Sequence, residues 1–149
     1  MQRLIAIALL SLSTVASAEA PTAPLATVVT SSGVKWGPCP PIFPGACAMT
    51  VLQGDPAKPN SDVVLRVGPG TTLPRHKHTS AERMILLAGR LSVKYDGASV
   101  AVLNRSNYAY GPAGLPHSAK CEGKVPCLLF IAFEGPVDAE LVPGTEHHH

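Results

Sequence analysis

The sequence predicts a single all-β domain, a sandwich or barrel of short strands. Three observations support this prediction. No stretch holds a helical period of apolar residues for ten positions. Apolar residues make up 46% of the chain and charged residues only 15%, which is typical of a compact domain and not of a disordered one. Runs rich in Val, Leu, Ile and Tyr recur at even spacing between turn-forming segments.

The first 18 residues have the pattern of a secretory signal peptide. Arg3 gives a positive start, residues 4–10 form a short apolar run, and residues 16–18 are a small-x-small cleavage site. We therefore expect cleavage before Glu19 and a secreted or periplasmic protein, with an uncleaved anchor as the alternative. No later segment approaches the roughly 20 apolar residues of a membrane span, so we expect no stable membrane insertion after cleavage.

The segments on either side of the domain are expected to lie outside its core. Residues 19–33 are rich in Ala, Pro, Thr and Ser, which predicts a flexible arm or an edge strand. The tail 143–149 ends in three histidines that look like the remnant of a purification tag, so they are left out of the candidate site. The net charge of +2 comes without a basic block or stripe, so nucleic acid is not an expected partner.

The domain itself is predicted to begin with an extended segment and to continue as strands. Segment 36–45 carries four prolines, and proline cannot donate to a sheet ladder, so this segment should stay out of a central strand. The pair Asp96-Gly97 predicts a tight hairpin. The predicted strands are 47–52, 62–67, 83–87, 91–95, 99–103, 107–110, 116–120, 128–133 and 137–142.

Three internal histidines and a glutamate form a candidate metal site. His76 and His78 are two residues apart, so in a strand their side chains share a face. Glu82 follows after a short turn, and His117 enters a later strand from a Pro/Gly-rich turn. Imidazoles and a carboxylate together suit one divalent transition metal ion. The alternative is that these are ordinary exposed strand residues.

Four cysteines remain in a chain that we expect to be exported, and an even count there favours disulfides. Of the three pairings that are open, we expect the local one, Cys39–Cys47 and Cys121–Cys127, because each pair brackets a turn. A zinc–thiolate cluster is the alternative. It is disfavoured because neither pair has the short Cys-x-x-Cys spacing of a zinc knuckle.

Other polar side chains near this site are expected to have ordinary structural roles. Arg75 and Lys77 alternate with the histidines, so they should face away from a metal. Arg66 is expected on the solvent face of its strand, with pairing to a carboxylate substrate as the alternative. Packing in the barrel wall is expected, ahead of lining the barrel mouth, for Tyr95, Tyr108 and Tyr110.

The spacing around the histidines resembles a known family motif. The run that joins Gly70, His76, His78, Glu82 and Gly89 resembles the first signature motif of the cupin superfamily at every fixed position. This resemblance implies that the three histidines and Glu82 are the ligands of one metal ion.

The second cupin motif is matched in its core and departs at two flanking positions. Residues 112–117 resemble that core, whereas Ser106 stands where a glycine is frequent and Cys121 where an asparagine is frequent. Neither residue is a candidate ligand, so the departures bear on local turn geometry alone. With its flanks, the resemblance covers about residues 34–142 and is strongest to exported single-domain cupins related to anti-sigma-factor cupin domains.

The resemblance implies a double-stranded β-helix, or jelly-roll barrel, that holds iron, manganese, zinc, nickel or copper and forms a homodimer. Cupins include dioxygenases, isomerases, lyases and non-catalytic binders, so the fold does not select the activity. We expect an exported metal-binding cupin acting on a small molecule as a dioxygenase-type oxidoreductase, with Glu82 as ligand and catalytic base. The alternatives are a non-catalytic binding or sensory cupin and a Lewis-acid isomerase or lyase.

Overall fold

The structure is a computed structural model that describes residues 26–29, 34–43, 45 and 47–144. The described residues form strands, turns and loops, and none of them forms a helix. The strands are β1 (Gly37–Pro38), β2 (Cys47–Gln53), β3 (Ser61–Val67), β4 (Thr72–Lys77), β5 (Glu82–Ala88), β6 (Arg90–Tyr95), β7 (Ala101–Leu103), β8 (Tyr108–Gly111), β9 (His117–Glu122), β10 (Cys127–Phe133) and β11 (Glu140–Leu141).

These strands form two antiparallel sheets that enclose one core. The six-stranded sheet has the order β1-β2-β3-β10-β5-β8, and the five-stranded sheet has the order β11-β4-β9-β6-β7. Consecutive strands β3 and β4 lie in different sheets, as do β4 and β5, and β9 and β10. The predicted all-β jelly-roll barrel is confirmed.

The core follows from the two-residue period of the strands. In β10, Cys127, Leu129, Ile131 and Phe133 are buried, and the residues between them are partly exposed. Inward-facing side chains from both sheets join them in a single apolar cluster. A slip of one residue would turn this row outward, so the apolar pattern fixes the register.

Most predicted elements are present, and their differences have local causes. The hairpin at Asp96-Gly97 joins β6 to β7, with Gly97 at φ +72° as its turn requires. The strand predicted at 137–142 shrinks to β11 because backbone groups before it bond outside a ladder. The amide of Val137 donates to the carbonyl of Pro56, and the carbonyl of Asp138 faces the ring of His78.

The predicted disulfide pairing is confirmed, and no described cysteine is free. Cys39–Cys47 ties the loop after β1 to β2. Cys121–Cys127 joins β9 to β10 and therefore links the two sheets, with both of its cysteines fully buried. Two disulfides fit an oxidising compartment.

The ends of the chain carry predictions that the structure does not reach. The predicted signal peptide, most of the arm 19–33 and the terminal histidines lie outside the described residues. Among the residues that are described, no helix has the length and apolar character to cross a membrane.

Candidate metal centre

Three strands, β5, β6 and β9, each carry a polar residue at the same end of the barrel, and its side chain faces the interior. Along β5 the inward row runs from Glu82 through Met84 to Leu86, and along β9 it runs from His117 to Cys121. In β6 the row ends at Tyr95, which is paired directly with His117. Directly opposed residues share a face of the sheet, so all these polar side chains lie at one end of the barrel.

A β-bulge turns His76 into the barrel. Leu73 of β4 pairs with Ala119, but His76 pairs with His117, so β4 places one residue more than β9 between these two pairs. Without that extra residue, alternation from buried Leu73 would turn Arg75 inward and His76 outward. Pro74 lies within the bulge, where its missing N–H leaves no ladder bond unmade.

His78 lies just beyond the end of β4 and is held by two loops. Its carbonyl accepts a hydrogen bond of 2.8 Å from the amide of Gly114, in the turn that leads to His117. Its Nδ1 is bonded to the carbonyl of Asp138, whose carboxylate in turn accepts bonds from the amide and hydroxyl of Thr79. The C-terminal segment therefore fixes His78, a role that the sequence did not predict for Asp138.

Glu82 is buried at 3% exposure between two histidines. Its Oε1 lies 3.4 Å from Nε2 of His117, and its Oε2 lies 3.6 Å from Nε2 of His78. Gly111 pairs directly with Glu82, and a Cβ at that glycine would stand 2.7 Å from Oε1. A glycine is therefore required opposite Glu82 for this carboxylate to occupy its position.

All three histidines use the same ring nitrogen to bond to the backbone. Nδ1 of His76 lies 2.7 Å from the carbonyl of Pro74, and Nδ1 of His117 lies 3.3 Å from that of Leu115. His78 bonds to the carbonyl of Asp138 in the same way. An Nδ1–H that donates to a carbonyl leaves Nε2 unprotonated, so each ring presents a lone pair.

Burial makes this set of side chains electrically neutral when no metal is bound. Burial is the main cause that lowers the pKa of His76 to about 3 and that of His117 to about 4, and it lowers the pKa of His78 as well. Burial also raises the pKa of Glu82 to about 8. The side chains therefore offer neutral imidazoles, and the carboxyl group would release a proton on binding a cation.

This donor set fits a divalent transition metal. The ligand atoms of His76, His78 and His117 all lie within 4.8 Å of one another. Oε1 of Glu82 is buried without a hydrogen-bond partner, so the carboxyl group has an unused acceptor in the interior. Three imidazole nitrogens, each ring held by a backbone carbonyl, and one carboxylate oxygen are a typical set for zinc, iron or manganese.

A small apolar cavity of about 60 Å³ lies against these four side chains. Its polar lining consists of the histidines, Glu82 and Asp138, and the rest is aliphatic or aromatic. Phe43 and Val137 belong to its border, and the ring of Phe43 meets that of His76 edge-on at 4.7 Å. The chemistry of the site is thus confined to one wall of an otherwise apolar space.

The predicted outward positions of the basic residues are confirmed. Arg75 donates to the carboxylate of Asp96 on the surface, and Lys77 lies 3.3 Å from Glu140. Arg66 is exposed, with its guanidinium 4.4 Å from the ring centre of Trp36.

The tyrosines differ from the prediction. Tyr108 and Tyr110 are 58% and 52% exposed on β8, so wall packing is wrong for both, because β8 is the edge strand of its sheet. Tyr95 does pack inside the barrel, with its ring 5.0 Å from that of His117. The hydroxyl of Tyr95 is buried without a partner, and burial together with the nearby Glu82 raises its pKa.

One family model matches the middle of the chain. The family model described as "Cupin domain" matches residues 63–133, which hold all four candidate ligands. A search of curated proteins found no match to the chain.

Solved structures show the same fold. Crystal structures of the DMSP lyases RdDddP and RnDddQII give a TM-score of 0.63 at 19% identity, covering 74% of this chain and 63% of theirs. An RmlC-like cupin from Shewanella frigidimarina NCIMB 400 gives 0.57 at 18% identity, covering 70% of this chain and 86% of that one. Recombinant oxalate oxidase in complex with glycolate gives 0.54 at 19% identity, covering 66% and 56%.

These solved structures share low sequence identity with the chain and are only partly covered by it. At such identities the likeness is one of fold. The chain spans less than two thirds of the length of the lyase structure that it matches.

Proposed function

We propose that this chain, in which a cupin family model matches residues 63–133 and whose strands form a jelly roll, is an exported metal-dependent oxidoreductase of dioxygenase type. Its substrate is a small molecule. The observation that carries the proposal is the set of three histidines whose ligand atoms lie within 4.8 Å of one another, beside the buried carboxyl group of Glu82. The ligands in this proposal are His76, His78, His117 and Glu82.

The metal supplies the redox chemistry when it is bound, and the chain supplies the rest. Three backbone carbonyls hold the imidazoles in one tautomer, so the ligand positions exist before the metal arrives. The cavity beside the ligands has a mostly aliphatic and aromatic lining, which offers water few hydrogen-bond partners. Such a lining suits a small substrate whose remainder is apolar.

Glu82 is proposed as the proton acceptor of the reaction. Burial raises its pKa to about 8, so its carboxyl group can hold a proton near neutral pH once the group is free of a cation. The cavity also borders this residue, which allows contact with a bound substrate. No other lining side chain among the described residues is both a proton carrier and free of a structural bond.

A Lewis-acid lyase is the second candidate, because DMSP lyases give the highest of the TM-scores quoted above. The same four ligands would serve a lyase, since a metal that does not change oxidation state can still polarise a substrate oxygen. The two candidates differ in the metal they need. The oxidoreductase requires a redox-active ion, and the lyase does not.

The test is to load the protein separately with iron(II), manganese(II) and zinc(II), and to screen small substrates by oxygen electrode and by thermal shift. The proposal expects substrate-dependent oxygen consumption in the iron or manganese form and none in the zinc form, because zinc cannot change oxidation state. Turnover by the zinc form without oxygen would replace the oxidoreductase by the lyase. Stabilising ligands without turnover in any form would indicate a binding or sensory cupin.

Two further parts of the proposal concern location and assembly. Export is supported by the two disulfides, and N-terminal sequencing of secreted protein should find Glu19 first.

A homodimer is supported by the outer face of β5 and β8, where Ile85 and Tyr108 are paired and exposed. Light scattering at micromolar concentration should give twice the chain mass, and a monomer mass would contradict this part.

A further inference from the structure

The cavity beside the candidate ligands is lined by no lysine or arginine from the described part of the chain. Basic side chains do come near in sequence, but each is engaged on the outside. Arg75 is bonded to Asp96, Lys77 is paired with Glu140, and Arg66 stacks on the Trp36 ring. Among the described residues, the cavity lining therefore offers no lysine or arginine to bind a second carboxylate of a ligand.

The charge balance inside the site then depends on the metal and Glu82. A divalent ion with three neutral imidazoles and one carboxylate leaves a net charge of one positive unit. The other carboxylate on the lining, that of Asp138, belongs to a partly exposed residue and already accepts two bonds from Thr79, so it is not part of the buried charge balance and supplies no positive charge. One negative charge on a ligand can thus be neutralised, whereas a second one would be buried without a partner.

We infer, on the basis of the proposed function, that the site takes small neutral or singly negative molecules. Such a molecule has one oxygen-bearing end for the metal and an apolar remainder. The aliphatic lining of the cavity, with Leu65, Val93 and Leu129 as examples, suits that remainder. Dicarboxylates do not belong to this class, in contrast to the substrate in the name of oxalate oxidase, whose fold is similar.

The size of the cavity limits the ligand further. A volume of about 60 Å³ holds roughly four to six water-sized groups at about 10–15 Å³ each. An unsubstituted branched four-carbon acid fills this space, and a substituted aromatic ring exceeds it.

Isobutyrate and oxalate form a matched pair of probes for this inference. Both have six non-hydrogen atoms and a similar outline, but isobutyrate carries one charge and two methyl groups where oxalate carries a second carboxylate. The protein is loaded with cobalt(II), whose visible absorption reports on its ligands, and each probe is titrated at pH 7. In water oxalate is the stronger ligand of divalent metals, so a reversed preference would come from the protein.

The expected result is at least tenfold tighter binding of isobutyrate than of oxalate, measured by the cobalt spectrum and by thermal shift. His117→Ala with cobalt gives the baseline for ions held by the terminal histidines. Equal or tighter binding of oxalate by protein that retains its cobalt would overturn the inference while the metal site stands. Failure of both probes to bind protein that retains its cobalt would likewise overturn the inference and leave the metal site standing. Failure of cobalt to bind above the His117→Ala baseline would overturn the inference and the proposed function together.

We also infer that Tyr95 is a positioning residue for Glu82. Its hydroxyl and Oε1 of Glu82 are the two buried side-chain polar atoms without a partner among the described residues. Both border the same glycine, because a Cβ at Gly111 would stand 2.7 Å from Oε1 and 3.1 Å from the Tyr95 oxygen. A phenol is a donor and an ionised carboxylate is an acceptor, so a bond between them satisfies both atoms.

Such a bond would orient the carboxylate for the metal. With Oε1 held by the Tyr95 hydroxyl, Oε2 remains on the side of His78, 3.6 Å from Nε2. Bonds of this kind to metal ligands typically change metal affinity by about 10–100-fold. Tyr95 is not part of the cavity lining, so it acts through Glu82 and not on a ligand of the cavity.

The test compares Tyr95→Phe with Tyr108→Phe, an exposed tyrosine on the edge strand. Tyr95→Phe should weaken zinc binding about tenfold or more in competition with a chelator, without lowering the melting temperature of the metal-free protein, because its hydroxyl is unpaired there. Tyr108→Phe should change neither quantity. Unchanged zinc affinity in Tyr95→Phe would overturn the inference, and so would a loss of metal-free stability that accounts for the whole effect.

Discussion

The two ends of the barrel are built by the same strands but have opposite chemistry. At the site end, β5, β6 and β9 present Glu82, Tyr95 and His117 to the interior. The other end, called the disulfide end because it holds Cys121–Cys127, lies four residues away along each of these strands. There the same strands present Leu86, Leu91 and Cys121, all at 1% exposure or less.

Apolar packing satisfies the disulfide end, whereas the site end buries polar groups that lack partners. The fold therefore bears the cost of these unpartnered groups at the site end, and a bound ion would offset part of it.

The largest expected effect is the loss of metal affinity when a ligand at the site end is removed. His117→Ala removes one ligand and should weaken zinc binding by at least about 100-fold, roughly 3 kcal/mol, because three donors hold the ion less well than four. Chelator competition measures this loss. Full occupancy of the variant under conditions that saturate the wild type would contradict it.

The matched control lies at the disulfide end. Leu86→Ala, at a fully buried position, should lower the free energy of unfolding by about 2–5 kcal/mol through lost burial and a cavity. It should leave one ion per chain, because Leu86 lies two inward positions away from Glu82 on β5. Denaturant unfolding and metal analysis together show whether the ends are separable.

Strand β9 runs from the site end to the disulfide end, so we expect it to couple the two ends. Removing the Cys121–Cys127 disulfide with a double alanine variant should lower the free energy of unfolding by about 2–3 kcal/mol. It should also weaken zinc binding, because β9 carries both Cys121 and His117. The double alanine variant of the partly exposed pair Cys39–Cys47 is the control and should spare zinc affinity. A larger loss of affinity in the control would show that β9 does not carry the coupling.

The third prediction uses the pH dependence of the metal-free protein. In the folded protein the pKa of His76 is about 3 and that of His117 is about 4. Below pH 6.5 the unfolded chain therefore binds more imidazole protons than the folded protein does, so the free energy of unfolding falls as the pH falls. Above pH 4.5 the unfolded chain releases a carboxyl proton that Glu82 retains up to its pKa of about 8, so this contribution is lost as the pH rises. The two histidines outweigh Glu82 at low pH, and stability should peak near pH 6.5.

The alkaline side of this curve isolates Glu82. Between pH 6.5 and pH 8 the free energy of unfolding should fall by on the order of 2 kcal/mol because of Glu82, at about 1.36 kcal/mol per pH unit. Glu82→Gln should remove the alkaline decline and keep the acid one. An alkaline decline that persists in Glu82→Gln would assign it to another group.

The smallest effect concerns a turn outside both ends. Ser106 has φ +69°, a conformation that favours glycine, and it is exposed, so little packing is lost on substitution. Ser106→Gly should raise the free energy of unfolding by up to about 1 kcal/mol. Asn60, at φ 67°, is the control, because asparagine tolerates this conformation better and should gain less. A decrease in stability of Ser106→Gly would contradict the strain argument.

Sequence patterns predicted the fold, the disulfide pairing and the clustering of the three histidines. The two-residue period placed the apolar rows, and the short Cys39–Cys47 and Cys121–Cys127 intervals made local bridges possible. The histidines came together where the cupin resemblance implied.

Features that depend on neighbours far along the chain could not be predicted in this way. The bulge at Pro74 is set by pairing with β9, and the bond of His78 to the carbonyl of Asp138 joins residues 60 positions apart. The exposure of Tyr108 follows from its place on an edge strand, which no alternation of residues indicates. Gly111 is required by Glu82 across a strand pair, so its role becomes visible only in the sheet.

The most direct test of the central claim is an anomalous difference map from crystals of the full chain, measured at the absorption edge of the bound metal. We predict one peak per chain at the site end, about 2.0–2.2 Å from Nε2 of His76, His78 and His117 and from a carboxylate oxygen of Glu82. A map with density only at the terminal histidines, or with a peak that His117 does not contact, would contradict a metal site formed by these four residues.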